Sequence, residues 1–497
     1  MSQSAQPESA PIHMPQFRLL SELQIELLVQ ATLECLNRTG VDVLNAQARE
    51  LLALAGASVQ GLRVRIPPSL IRDAIAAAPR SFSLWGRDPR IHLRIEAAEG
   101  QAHFGAGPTC PYFVEPETGE RRRSQRGDPG LTARVCDALE HIDYVMGLAL
   151  PDDVPPNLAP AYEFAAMVAN TGKPIVAWAF SLDNVADIYR IAVAAAGRED
   201  AFRERPFVAF LATCQAPLMH TEAELANVFW MADRGLPIVY MGGGTAGVTA
   251  PIGGAGTLII NLGAILSGLA IIQLYKRGTP TCIGSVPTAL DPASGRMPYG
   301  APEMSLFSAA MSEITRQLGL PYMGTAGASE AKTLDAQAGI ECAFQVIFSQ
   351  LSGSTLPHDV GMLDSANIGS LEMLVMADEI IGMTRRITRG IEIGDLAATL
   401  DLIDRVGPGG EFISCKETAR GVRREVYMTR LMDRQPWDQW QAAGSAGMSE
   451  RARARVQQIL AEHEPLPLPE GAAGQIDQVL REAEARLAQT PPLSSAP

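Results

Sequence analysis

The chain has 497 residues, 47% hydrophobic and 19% charged, a composition that supports a large buried core and excludes a disordered chain. Its 41 Lys and Arg against 55 Asp and Glu leave a net charge of -14, and the one basic cluster, Arg121-Arg122-Arg123 with Arg126, is too small for a nucleic-acid footprint. Seven cysteines, odd in number and without a C-x-x-C pair, fit reduced thiols in a cytoplasm better than a disulfide framework.

Residues 1–17 are polar and contain proline but have no basic n-region or apolar h-region, so a disordered N-terminus is expected rather than a signal peptide. Residues 18–101 read as an N-terminal α/β extension. Apolar periodicity predicts helices at 22–38 and 46–54. Ile66-Pro67-Pro68-Ser69 introduces a third near 70–78, and alternation over 81–95 predicts a β-ribbon.

From 102 to 390, short apolar runs alternate with helical stretches. Strands are predicted at 102–106, 144–150, 174–180, 207–212, 237–241, 281–286, 321–325 and 354–359. The intervening helices fall near 129–140, 157–171, 183–197, 221–234, 256–276, 303–318, 335–350 and 365–387. Four strands follow a Gly-x-Pro stop, at Gly172, Gly235, Gly278 and Gly319. Glycine suits the left-handed position past a helix, and proline prevents the helix from continuing. Nearly all-apolar strands are what a parallel sheet buried on both faces requires. Eight such units predict a (β/α)8 TIM barrel with its site at the C-terminal strand ends. An open doubly wound sheet is the alternative, but no G-x-G-x-x-G follows the first strand.

The run 257–274 is almost uncharged, yet it falls short of a ~20-residue span and carries Asn261, Ser267 and Gln273. A buried barrel helix is expected there, and no membrane partner. Residues 391–497 read as a C-terminal helical extension, with helices at 417–434, 449–462 and 475–487, for packing or for assembly into a homo-oligomer.

In such a barrel the working residues project from the strand ends and the loops after them. After the fifth strand, the run from Gly242-Gly243-Gly244 to Gly254 is glycine-rich enough to cradle a phosphate or admit a large flat surface; a flexible loop is the bland alternative. It lacks the lysine and spacing of a P-loop. After the seventh strand, Glu330, Lys332 and Asp335 cluster, and a capping and ion-pair role competes with a functional one. His358 and Asp359 end the eighth strand. Tyr112, Trp178, Phe180, Tyr240, Tyr299 and Tyr322 recur near the same rim, and Trp178 and Phe180, two apart, share a strand face. Aromatic faces with carboxylates are how proteins hold quaternary ammonium cations, although each ring could instead fill the core. There is no H-E-x-x-H and no Cys/His cluster at zinc spacing, so no metal site is expected. Lys332 could form a Schiff base as in barrel aldolases, but that needs desolvation which a polar loop does not promise.

Several motifs are more specific. They include Asp291-Pro292-x-x-Gly295, Ala301-Pro302-Glu303, Gly319-Leu320-Pro321 and Ala331-Lys332-x-x-Asp335-Ala336-Gln337-Ala338-Gly339-x-Glu341. Gly361-Met362-Leu363-Asp364, Asp378-Glu379-Ile380-Ile381-Gly382-Met383 and Arg386-x-x-Arg389-Gly390 continue the series. Together they make the chain resemble the trimethylamine methyltransferase family over roughly residues 18 to 465. The resemblance implies a barrel that demethylates a methylated amine and hands the methyl to the Co(I) corrinoid (cobalamin) of a separate carrier protein, with no tightly bound cofactor of its own. Founding members carry pyrrolysine. This chain has standard residues only, which implies the branch acting on quaternary amines such as glycine betaine, proline betaine or carnitine.

On that reading Glu330 would balance the cation and His358 would hold a substrate carboxylate or orient a neighbour. Tyr112, Trp178, Phe180 and Asp359 would bind substrate, and Gly242, Gly243 and Gly244 would give the corrinoid ring room. The alternatives are a sulfonium donor, a tetrahydrofolate acceptor, or a betaine-binding barrel without catalysis. Gly409-Gly410-Glu411-Phe412-Ile413 departs from a Gly-Gly-His-Phe-Leu-like run of the family, and Ala264 stands where an acidic residue is frequent.

Overall fold

The computed structural model describes residues 17–97 and 102–489. The expected disordered stretch lies outside the described residues up to residue 16. Phe17 itself is anchored: its N–H donates to Leu351 O at 3.0 Å and its ring packs edge-on against Phe348.

Five regular strands, Ile175–Trp178, Val208–Thr213, Ile238–Ala246, Thr281–Ala289 and Tyr322–Met323, pair side by side in parallel in chain order. Three shorter segments complete a ring. Tyr144 bridges Gly105, Val145 bridges Ile175, and Thr325 bridges His358, all in parallel. Ala106 bridges Val360, and the N–H groups of Gly105 and Gly107 donate to Pro357 O and Val360 O at 3.0 Å, which closes the eighth strand on the first. The predicted barrel is therefore present, each strand in its predicted place.

Its strands alternate between two cores. Tyr144, Val176, Leu211, Met241, Met323 and Leu356 face inward and form an interior cluster. The hairpin of Ser81–Trp85 and His92–Glu96 adds Leu84, Leu93 and Ile95 to that cluster. The hairpin is held at the N-terminal strand ends, where Trp85 N–H donates to Pro206 O and Asp88 N–H to Gly172 O. It plugs the floor, so the barrel can open only at the other end. The outward faces pack on the barrel helices.

The long apolar helix is Gly254–Tyr275, the one helix among the described residues long and apolar enough to cross a membrane. Most of it is buried. It lies on the barrel strands on one side and under the helices Glu22–Arg38, Ala46–Leu54 and Pro68–Ala77 on the other. A helix with protein on both sides is apolar all round. The covering helix Glu22–Arg38 starts from a capping box between Ser21 and Gln24, which fixes its first turn.

Two expectations are corrected here. Gly242, Gly243 and Gly244 are not a loop: strand Ile238–Ala246 runs through them and pairs residue for residue with Thr281–Ala289. A Cβ on Gly242 would stand 2.8 Å from Ala264 Cβ, and one on Gly244 3.0 Å from Asn261 Nδ2, so the glycines let the long helix lie close against the strand. The helix predicted at 417–434 is Lys416–Glu425 and stops at an extended Val426. The buried carboxylate of Glu379 takes the N–H groups of Arg430 and Leu431, each at 3.1 Å, and holds that stretch against the barrel out of helical geometry. The helices Met448–Glu462 and Ala472–Gln489 return over the barrel helices.

Candidate active site

At the open end the inward side chains do not close over. A cavity of about 250 Å³ remains, bounded by Trp178, Thr213, Met241, Val286 and His358 on the strands and by Pro108, Thr109, Tyr299, Asp359 and Met362 beyond them. Gly243 also lines it, and a Cβ there would meet nothing within 4 Å. The strand pair that carries Gly243 runs well past the barrel and forms one tall lip. Exposed Val248 and Ile252 follow its first strand, and exposed Met297, whose sulfur is 3.0 Å from Thr245 Oγ1, follows its second. Phe180 and Leu182 are the exposed apolar side chains across the mouth, beyond Trp178.

Among the described residues, Asp359 is the one carboxylate that lines this cavity. Its backbone sits at φ 83, in the left-handed region that non-glycine residues rarely adopt. Such a conformation persists only when the surroundings hold it, and it turns the side chain back into the barrel. The side chain is 2% exposed; Oδ1 lies 3.3 Å from His358 Nε2, and Oδ2 has no hydrogen-bond partner. Burial pushes the carboxyl up to about 6, with His358 pulling the other way. His358 Nδ1 donates to Gly324 O at 2.6 Å, which leaves Nε2 to face Asp359.

The aromatic wall consists of Trp178 and Tyr299. Phe180 packs edge-on against Trp178 with ring centroids 5.4 Å apart. Trp178 Nε1 is buried without a partner. The Tyr299 phenol is raised in pKa by burial and by Asp359, so it stays neutral. Cys214 lines the cavity too, but its thiol is pushed up to about 12 by burial and donates to backbone oxygens, so it is no nucleophile. Behind Trp178, Pro108 and Thr109, a void of about 10 Å³ meets Glu163, whose buried Oε1 is also unpartnered. Gly147 makes room for it: a Cβ there would stand 1.7 Å from that oxygen.

Of the residues expected at the site, His358, Asp359, Trp178, Gly242 and Gly243 line the cavity. Gly244 faces the long helix. Phe180 stays outside and supports Trp178. Tyr112 is not brought in. It lies on an unforeseen hairpin, Tyr112–Val114 with Arg121–Arg123, where the Arg121 and Arg123 guanidinium groups lie 3.4 and 4.6 Å from its ring centre. Glu330 is also drawn away. Its Oε1 accepts from Tyr299 N–H at 2.7 Å and Ser365 Oγ at 2.5 Å, so it positions the Tyr299 loop. Lys332 is exposed and paired with Asp364 at 3.2 Å, which removes the desolvation a Schiff-base lysine needs. Tyr240 and Tyr322 bond His220 and Ser285 outside the ring of strands.

Tyr299 is one of the rim aromatics expected from the sequence, whereas Glu163 is not among the expected residues. Tyr299 arrives from a loop ten residues past its strand. Glu163 had a signal, as the only charged residue in the eleven-residue helix Ala159–Ala169.

Three comparisons bear on this geometry. The family described as "Trimethylamine methyltransferase (MTTB)" matches residues 2–487. The trimethylamine methyltransferase of Desulfitobacterium hafniense is 29% identical over 467 residues, 93% of both chains. The glycine betaine methyltransferase of another strain of that organism is 29% identical over 454 residues, 91% of this chain and 94% of the other. Among solved structures, the monomethylamine methyltransferase of Methanosarcina barkeri aligns with a TM-score of 0.54 at 14% identity, over 95% of this chain and 88% of that one, a likeness of fold.

Proposed function

This chain belongs to the trimethylamine methyltransferase family, and from that premise we propose that it takes one methyl group from a small quaternary amine of the betaine or carnitine type. The methyl passes to the Co(I) corrinoid of a separate carrier protein in the cytoplasm. The observation that carries the substrate class is Asp359: a buried carboxylate with an unpartnered oxygen, facing a cavity walled by Trp178 and Tyr299. A cation with an apolar shell answers that arrangement, through charge on one side and ring faces on the other. The cavity of about 250 Å³ is below the ~300–1,000 Å³ typical of sites for drug-sized ligands, which favours a small molecule.

The chemistry is consistent with the residues. A quaternary nitrogen leaves as a neutral tertiary amine, so no side chain has to donate a proton. His358 Nδ1–H is committed to Gly324, and Tyr299 is held neutral. Among the lining side chains Cys214 is the strongest candidate nucleophile and it stays protonated. On this reading the methyl acceptor enters through the mouth. When bound there, the carrier's corrinoid supplies the nucleophilic metal. This chain's part is to admit a flat ring, with Gly243 leaving space and Val248, Ile252, Met297, Phe180 and Leu182 forming an apolar rim. Because the positive charge on nitrogen fades as the methyl leaves, Asp359 serves to bind the cation, and rate gain comes from holding one methyl in line with the mouth.

The test is to mix the purified chain with a reduced corrinoid carrier and a panel of betaines, carnitines and sulfonium compounds. Methylation of the carrier by a quaternary amine, followed by its visible spectrum, is the expected result. Tight betaine binding with no methyl transfer to any acceptor would overturn the catalytic reading and leave a binding protein.

A further inference from the structure

One segment is left bare. The chain leaves helix Leu371–Thr388 at Gly390 and returns at Glu425, where Arg386 Nε donates to Glu425 O at 2.8 Å. Between these points lie helices Leu396–Val406 and Lys416–Glu425, and neither buries a single side chain. They are tied to each other by polar contacts, such as Arg405 to Glu417 at 2.8 Å, and by the turn through the departing motif Gly409-Gly410-Glu411-Phe412-Ile413. Leu396, Leu400 and Ile403 recur at helical spacing and are all exposed, as are Phe412 and Ile413. Helices of 11 and 10 residues are shorter than the ~12–15 at which an isolated helix is even marginal in water. An amphipathic arm of this length is held by packing on something apolar.

The same chain presents an apolar surface that none of the described residues covers. Helices Ala336–Ser352 and Leu371–Thr388 leave a groove of about 640 Å³, lined by Ile340, Ala343, Met376, Met383 and Ile387 and walled on one side by Met432 and Met448 of the C-terminal extension. Ile340 and Ile387 are more than half exposed. Ile387 sits one turn before Gly390, so the groove and the root of the arm adjoin.

We propose that the arm of one chain lies in this groove of a second copy, and the second copy's arm in the groove of the first. A two-fold exchange covers both surfaces at once and leaves neither open, as an isologous interface must. A stable interface takes ~20–30 residues from each partner. The 30 residues of Leu396–Glu425 with a groove on each side are of that scale. The active sites stay at the barrel mouths, so the pairing does not depend on the substrate reading.

Sedimentation velocity of the full chain over a wide concentration range tests this, and a mass of two chains or an even multiple is expected. Leu400→Glu and Ile340→Glu should each halve it, with the circular dichroism spectrum retained because neither side chain is buried in its own chain. An equimolar mixture of the two variants should recover dimer, since it combines one intact arm with one intact groove. A monomeric wild type would overturn the exchange. So would a dimer that survives Leu400→Glu, or one lost in Leu400→Glu but kept in Ile340→Glu, which would mean arms packing on arms.

Discussion

The two ends of the barrel differ in what their polar groups meet. At the floor Ser354 Oγ is buried without a partner, but the charged groups are matched. Lys173 Nζ donates to the carbonyls of Cys136, Leu139 and Ile142 at 2.5–2.7 Å, and Asp143 pairs with Arg385 at 2.5 Å. Above them the hairpin fills the interior with Leu84, Leu93 and Ile95. At the mouth, Asp359 Oδ2 and Trp178 Nε1 are buried without partners and the interior stays hollow, while Glu163 Oε1 is unpartnered against the small void behind Trp178. An unmatched buried polar atom weakens a fold unless something else satisfies it. The floor therefore maintains the structure, while the mouth holds unmet interactions for a ligand to complete.

The sharpest way to break this contrast is Asp359→Asn. Removing a buried countercharge should lower kcat/KM for a quaternary amine about 10²–10³-fold, the range of ~2–5 kcal/mol for a lost buried charge partner. The same change should leave the melting temperature at neutral pH level or higher. The folded carboxyl keeps its proton up to about 6, against an ordinary 3.8, so wild-type stability falls as pH rises through that window, by about 3 kcal/mol at most. A large drop in melting temperature for Asp359→Asn would put Asp359 among the structural groups instead.

Lys173→Met is the converse experiment at the floor. Leaving three buried carbonyls without their charged donor should destabilise by about 3 kcal/mol in a urea titration. The KM of the folded fraction should stay unchanged. Trp178→Ala should raise KM ~10–30-fold through the lost ring face, and Trp178→Phe much less. Substrate affinity should fall about tenfold for each pH unit below 6 as Asp359 takes up its proton, a slope that calorimetry would show to vanish in Asp359→Asn. The smallest effects separate two glycines of the barrel wall. Gly105→Ala puts a Cβ 2.2 Å from the Tyr144 ring and should cost about 1–3 kcal/mol. Gly243→Ala projects into open space and should change stability by less than ~0.5 kcal/mol.

All eight strands could be read in the chain because a strand buried on both faces must be nearly all apolar, and four of them follow a Gly-x-Pro stop that ends the preceding helix. The helices 22–38 and 46–54 match Glu22–Arg38 and Ala46–Leu54 in full. Of the site, His358, Asp359 and Trp178 were legible because they lie at the C-terminal ends of barrel strands, where working residues concentrate, although the inward turn of Asp359 comes from its left-handed backbone and not from alternation. Tyr112 and Glu330 were not. Both lie on loop or hairpin residues whose partners, Arg121 and Arg123 for one and Tyr299 N–H and Ser365 for the other, come from elsewhere in the chain.

The local order of apolar runs, caps and stops thus determined the barrel and the end at which it works. Tertiary contact alone decided the rest: that three glycines extend a strand instead of forming a loop, that a hairpin from outside the barrel seals its floor, and that Asp359 keeps an unpartnered oxygen. Each of these depends on which distant surface arrives within a few ångströms, and no spacing along the chain encodes that distance.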